Sequence, residues 1–219
     1  SKELNLYISA DYLKMISSVR VAPSINIKLY IMLALVLFFV IGCCGAVLLG
    51  RLSDIVDYLL YIDKKTGLPN REKLNIYIGE MAGKVLPEAF TCFTLNLDNL
   101  SELTKRYGYT VGDGVLKDFA GLIQLMGDTE GMRGYNGVGR FVVFFEECSS
   151  KKAAAMIRIL DNQVEEYNSL NPEYPIHYTA AWATTEETDT YEIRELLRLS
   201  QKKWKQMEKE KKDKTEEGT

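Results

Sequence analysis

Side chains with strong intrinsic chemistry are few and poorly spaced in this sequence. The one histidine among 219 residues, His177, lies in an alternating stretch and reads as a packed or edge strand residue, not as a general base. The four cysteines are Cys43, Cys44, Cys92 and Cys148; no pair has metal-ligand or redox spacing, and two lie in an apolar run, which argues against a zinc site and against a disulfide framework. Three glycine-bearing segments carry the remaining polar positions of interest: Asp63 to Arg71, Tyr107 to Asp113, and Gly137 to Phe141. The ordinary use of Asp113 in such a setting is to cap the helix that follows. Lys202 to Lys214 is rich in lysine but interrupted by Glu208, Glu210 and Asp213, so it reads as a solvated helix face. Net charge is −3, from 27 Lys+Arg against 30 Asp+Glu, which gives no basic excess for nucleic acid.

The elements that would position these residues follow a readable order. With 47% hydrophobic and 26% charged residues the chain is of folded type. Asn70 is a good N-cap for a helix with Leu74, Ile78 and Met81 on one face, ending near Gly83. Phe90 to Leu97 reads as a strand, Leu100 to Tyr107 as a helix, and Tyr107 to Gly114 as a glycine-bearing turn before a helix whose Val115, Leu116, Phe119, Ile123 and Met126 share a face. Arg133 to Asn136 and Arg140 to Glu146 form a hairpin, followed by a helix from Ser149 to Leu170, a strand from Ile176 to Thr184 and a helix from Tyr191 to about Lys209. This β-α-β-β-α-β order predicts an α+β fold of split βαβ, ferredoxin-like type: a mostly antiparallel sheet with flanking helices and the hairpin at its centre.

Upstream, no charged residue occurs from Leu29 to Gly50. A helix over that run rises roughly 33 Å, enough to cross a hydrocarbon core of about 30 Å. Gly42-Cys43-Cys44-Gly45 places small residues mid-span, where a second helix could approach closely. Lys14, Arg20 and Lys28 precede the span and Arg51, Lys64 and Lys65 follow it, so charge does not orient it. Leu52, Ile55, Leu59 and Ile62 suit either a short coiled coil or an amphipathic helix packed on its own domain. Leu4 to Ser9 alternates like a strand and Tyr12 to Val19 fits two helical turns, which is too little for an independent core. The expected organisation is residues 1–28 as the tail of an extracytoplasmic domain, 29–50 as a transmembrane helix, 51–62 as a helical connector, 63–209 as the main domain and 210–219 as a charged tail.

Three motifs carry a family resemblance. Asp63-Lys64-Lys65-Thr66-Gly67-Leu68-Pro69-Asn70-Arg71 follows the pattern D-x-L-T-G-L-x-N-R with Lys65 in place of Leu. Tyr107-Gly108-Tyr109-Thr110-Val111-Gly112-Asp113 follows Y-G-H-x-x-G-D with Tyr109 in place of His, and Gly137-Val138-Gly139-Arg140-Phe141 stands where G-G-D/E-E-F belongs. From about Asp63 to Met207 the sequence resembles the GGDEF domains of diguanylate cyclases, and residues 1–28 resemble the end of a Cache-type sensor. The resemblance implies a cytoplasmic domain behind a membrane helix, and condensation of two GTP molecules by carboxylate-held metal ions.

The same resemblance implies that the chemistry fails here. The metal-binding Asp after the strand is Asn96, a neutral ligand; the signature acid is Gly139; and Arg140 brings a cation to the same turn. The family's guanine-binding Asn is Thr104, with Asp113 retained, and its phosphate-binding Lys is Ser101. The family's R-x-x-D inhibitory site falls on Asp128 and Gly131 and is absent, while Arg133 reads as a solvent-facing strand residue. Asp98, the second acid of the family's D-x-D stretch, is expected to pair directly with Arg140. Asp98, Thr104, Asp113 and Arg140 are the residues left for weak nucleotide contact. No metal or other cofactor is expected, Mg2+ being needed only for residual activity. The reading is therefore a membrane-embedded, homodimeric pseudoenzyme of bacterial signal transduction with nucleotide or protein partners. The alternatives are a GTP or cyclic dinucleotide sensor without turnover, and a residual diguanylate cyclase.

Overall fold

The structure, a computed structural model, describes residues 2–127 and 131–217, with side chains described for 27–127, 131–211 and 213. The chain divides between Val56 and Asp57 into two units. The first consists of helix α1 (Lys2–Tyr61), whose last turn belongs to the second unit. From Ile27 onward α1 has no buried residue and is long and apolar enough to cross a membrane. The strand expected at Leu4 to Ser9 is not formed, because that stretch is part of α1. An isolated strand would leave its backbone donors and acceptors without partners, whereas a helix satisfies them within the segment. Leu52, Ile55 and Leu59 are 56%, 55% and 54% exposed.

The second unit begins with a tight loop that ends α1 and starts α2 (Arg71–Met81). Asp63 Oδ1 accepts from the Thr66 amide at 2.9 Å, the Thr66 hydroxyl at 2.9 Å and the Lys65 amide at 3.1 Å, an arrangement that folds the chain sharply back. Asn70 then works in both directions. Its Oδ1 accepts from the Lys73 amide as the N-cap of α2, and its Nδ2 donates to the carbonyl of Leu60 at 2.7 Å, satisfying an orphan group at the end of α1.

Four strands, β1 (Thr91–Leu97), β2 (Gly131–Tyr135), β3 (Arg140–Phe145) and β4 (Tyr178–Thr184), form a wholly antiparallel sheet in the order β2-β3-β1-β4. Only β3 of the hairpin is central; β2 forms an edge. Helices α3 (Leu100–Tyr107), α4 (Tyr109–Gln124), α5 (Ser150–Leu170), the single turn α6 (Thr185–Thr188) and α7 (Ile193–Glu217) complete the unit. Both faces of the sheet are covered, which is why its strands read as nearly continuous apolar runs. Phe93, Leu95, Leu97, Phe141, Val143 and Phe145 pack with α4 and α5 residues such as Phe119, Ile123, Met156 and Leu160. On the other face, Cys92, Val142, Phe144 and Ala183 meet Leu74 of α2 and Ile193 and Leu196 of α7. Burial there pushes the Cys92 thiol up to about 12, so it behaves as a small core side chain.

Two boundaries differ from expectation. Tyr107 to Gly114 is not an extended turn: Gly108, at φ +89°, makes the whole break, and α4 starts at Tyr109. A single left-handed glycine suffices to separate two helices, and the later glycines are accommodated in helical geometry. The segment expected as a charged tail is helical to Glu217 because α7 continues through it.

Gly134 of β2 lies under α2, where an added Cβ would come within 2.4 Å of a Leu74 side-chain carbon. Gly134→Ala should therefore cost about 1–3 kcal/mol through overpacking. Gly121→Ala, inside α4 with nothing within 4 Å of the added Cβ, should instead stabilise by about 0.5–1 kcal/mol. Both tryptophans, Trp182 and Trp204, lie in the second unit, so urea unfolding followed by their fluorescence measures this difference in the full chain.

Candidate functional site

The register of the sheet brings the sequence-predicted residues to one end of it. Asn96 of β1 lies opposite Arg140 of β3 on one side and Thr179 of β4 on the other. The hairpin turn is tied to the end of the same strand, because the Leu97 amide donates to the carbonyl of Gly139 at 2.8 Å. Phe141 anchors the turn in the core, with its ring 5.4 Å from that of Phe119. Within the turn Gly137, Val138 and Gly139 have φ of +87°, +52° and +73°. Positive φ is ordinary for the glycines but costly for the β-branched Val138, whose side chain is fully in solvent at 88% exposure. Gly139 is buried, and an added Cβ would stand 3.1 Å from the Leu97 carbonyl oxygen and 3.3 Å from the Leu100 side chain.

Asp98 is the hub of this end of the sheet. Its Oδ1 accepts from Asn96 Nδ2 at 2.9 Å, and its Oδ2 accepts from the Thr179 hydroxyl at 2.6 Å and from Lys211 Nζ at 3.4 Å. The same ammonium donates to Thr179 Oγ1 at 2.6 Å and to the carbonyl of Tyr178 at 3.0 Å. The expected Asp98–Arg140 pair is not formed. The Arg140 guanidinium lies 4.9 Å from the ring centroid of Trp204, which is 5% exposed, and Asp98 pairs with Lys211 instead. An Arg fork stacks well on an indole face, and the flexible lysine reaches the carboxylate from α7.

The second surviving acid is also engaged. Asp113 accepts from Lys65 Nζ at 2.8 Å, and this hydrogen bond raises the Lys65 ammonium above its ordinary pKa. Asp113 does not cap α4, which begins four residues earlier with Gly108 at its N-cap. Thr104 faces α4: its hydroxyl donates to the Leu100 carbonyl at 2.8 Å, and its side chain fills the space where a Cβ on Gly112 would stand. Ser101 is exposed, as is His177, whose carbonyl accepts from the Asp98 amide at 2.7 Å. Arg133 does not face solvent. Its Nη2 donates to the carbonyls of Met126 at 2.7 Å and Gly127 at 3.2 Å beyond the end of α4, and its guanidinium covers Phe145. Carbonyls left unsatisfied at a helix C-terminus attract such a group. Gly131 opens β2, and Asp128 lies outside the described residues.

These residues do not fit a divalent cation. The oxygens of Asp98, Thr179 and Tyr178 surround an ammonium, Asn96 turns a donor toward Asp98, Gly139 offers no ligand, and Arg140 adds a further cation. Among the described residues no group of three or more His, Cys, Asp or Glu side chains could hold a metal ion. A separate groove of about 660 Å³ beside the turn is lined in part by Arg71, Glu72, Asn75, Asn136 and Val138, but its Asp63 and Asn70 are committed to the backbone.

Lys211, Trp204 and Thr179 are the participants that sequence reasoning missed. Trp204 and Lys211 are seven residues apart, on the helical face that carries Ile193, Leu196 and Ser200, and that spacing was the available signal.

The profile of the family described as diguanylate cyclase, GGDEF domain, matches residues 60–214. No match was found among curated proteins. Among solved structures, the chain is similar to the coiled coil and GGDEF domain of DgcB from Caulobacter crescentus in complex with c-di-GMP, with TM-score 0.56 and 16% identity over 66% of this chain and 80% of that one. It is also similar to the diguanylate cyclase SiaD from Pseudomonas aeruginosa in complex with its activator SiaC, with TM-score 0.55 and 15% identity over 92% and 82% of the two chains. Against the S helix-GGDEF-EAL part of LapD from Vibrio cholerae the TM-score is 0.51 with 14% identity over 62% of this chain, which spans only 31% of that one. At these identities the likeness is one of fold.

Three substitutions test the local electrostatics and strain. Asn96→Asp replaces a donor to Asp98 with a second carboxylate, raising the pKa of the pair in the folded state. The variant should lose about 1–2 kcal/mol at pH 7 and recover as pH falls toward 4, because protonation relieves repulsion that the unfolded chain does not feel. Asn96→Ala, which adds no charge, should show no such pH dependence in urea unfolding. Val138→Gly should raise stability by about 0.5–1 kcal/mol by relieving positive φ at a β-branched residue.

Proposed function

The chain belongs to the GGDEF domain family of c-di-GMP signalling proteins, and on that premise we propose that it is the catalytically inactive cytoplasmic output domain of a bacterial membrane receptor. It acts by dimerisation or partner contact. The observation that carries this reading is the occupation of two carboxylates of the degenerate site by the chain's own lysines, Asp98 by Lys211 and Asp113 by Lys65. Phosphoryl transfer between two nucleotides requires cations that neutralise the transferring phosphates. Here the cations are side chains, fixed to the protein and already paired.

Helix α1 supports the anchored, paired arrangement. Its apolar run suits a bilayer, and the exposed Leu52, Ile55 and Leu59 form a strip that a second copy would cover with the same strip. The SiaD structure, in which a diguanylate cyclase is in complex with its activator, supports partner contact as a mode of action. The DgcB complex with c-di-GMP favours the second reading, a nucleotide sensor without turnover, with Arg140 supplying a guanidinium to a phosphate.

Purified chain in detergent, supplied with GTP and Mg2+, should form no cyclic dinucleotide above a no-enzyme control; product formation would overturn the proposal. Calorimetry with GTP and with c-di-GMP, each with and without Mg2+, should show no binding, and binding without turnover would select the sensor reading. Cross-linking in membranes should capture a dimer that Leu59→Lys abolishes. A dimer unchanged by Leu59→Lys would remove the connector strip from the interface.

A further inference from the structure

Helix α7 carries one stripe along its whole described length, and the stripe changes character as it leaves the core. Ile193 and Leu196 are fully buried, and Ser200 is buried with its hydroxyl 2.8 Å from Thr94 Oγ1 and 3.4 Å from Cys92 Sγ. Trp204, one turn on, lies under Arg140, which is opposite Asn96. Lys211, two turns further, reaches Asp98. The helix therefore runs along β1 from Cys92 to Asp98, and its far end lies over the row Arg140-Asn96-Thr179. No described residue after Trp204 is buried. Lys211 ties these last turns to the sheet through polar contacts.

We propose that the end of α7 is an ionic latch, in which the Lys211 ammonium, seated among Asp98, Thr179 and Tyr178, closes the helix over the degenerate site and opens it on release. The oxygen nest is built for one positive charge. Thr179 is 2% exposed and donates to Asp98, Asn96 donates to the other carboxylate oxygen, and the nest thus carries a single negative charge with its remaining acceptors aimed at Lys211. An aspartate at position 96 would double that charge and leave it half neutralised. The Asn96 side chain and the Lys211 ammonium are in this sense complementary. The contact is also weak enough to switch, because the Lys211 side chain is 55% exposed and exposed ion pairs contribute little and are screened by salt. Opening would uncover the Asp98 carboxylate and the Thr179 hydroxyl beside Arg140, which stays stacked on Trp204, and these are the groups that a partner would meet.

The latch deepens the reading of this domain as a non-catalytic one, but its test reads the opening of a helix, so either can fail without the other. Hydrogen exchange of the full chain in detergent micelles reports the amides of residues 205–217. Lys211→Met keeps helix propensity and removes the charge. It should speed exchange in that segment by about threefold to tenfold while leaving β1 and α4 unchanged. Asp98→Asn should do the same, and Lys209→Met, on the same turns, should not. Raising NaCl from about 50 mM to about 500 mM should speed exchange of the same segment in the unmodified chain and leave the Lys211→Met chain unaffected. Exchange in 205–217 that is indifferent to salt and to both substitutions would overturn the latch. So would an equal response to Lys209→Met. The salt titration needs no substitution, and exchange indifferent to salt overturns the latch even if a variant fails to fold.

Discussion

The register of β1 is the constraint on which the rest of the domain depends. The strand is central and buried on both sides, so its alternate residues are committed to opposite faces: Phe93, Leu95 and Leu97 to α4 and α5, Cys92, Thr94 and Asn96 to α7. A slip of one residue would exchange those sets and put three large apolar side chains against Ser200. With the register held, Asn96 must fall between Arg140 and Thr179, and Asp98 must follow where the strand leaves the sheet. The candidate site is thus fixed by core packing rather than by its own polar contacts. It keeps its shape although the residues in it have changed chemistry.

Charge is balanced pair by pair around this frame. Asp98 and Asp113 each have a lysine from a distant part of the chain: Lys65 from the loop after α1 for Asp113, and Lys211 from the end of α7 for Asp98. Arg140 needs no acid because the indole of Trp204 takes its flat face. Positive charge that metal ions bring to a nucleotide site from solution is here covalently attached.

How much of this was legible in the sequence depended on which force shaped each part. Strongly periodic elements were clear: α3 spans Leu100 to Tyr107 as read, Asn70 caps α2, and β1 ends at Leu97. The departures came where local chemistry and tertiary contact disagree. Glycines at 108, 112 and 114 suggest a loop, but only Gly108 breaks the backbone, while Gly112 is small because Thr104 packs against it. The lysine-rich end suggests a solvated face, but one lysine of the series falls on the buried stripe, and periodicity of charged residues carries no signal when most of them do face water. Asp98 and Arg140 were rightly placed at the same end of the sheet. Their pairing failed because Trp204, far off in sequence, offered the guanidinium a better surface.

The turn glycine at position 139 makes the altered state hard to reverse. It is buried, left-handed and pressed against the Leu97 carbonyl, so an acid placed there would meet backbone before it met any ligand. An acid there would hold a strained left-handed backbone and would push the Leu97 carbonyl and the Leu100 side chain aside by a few tenths of an ångström. Gly139→Asp therefore gives a less stable protein, unlike Val138→Gly one residue before it. Packing at this one position acts as a ratchet on the turn: glycine enters without cost, and a side chain does not.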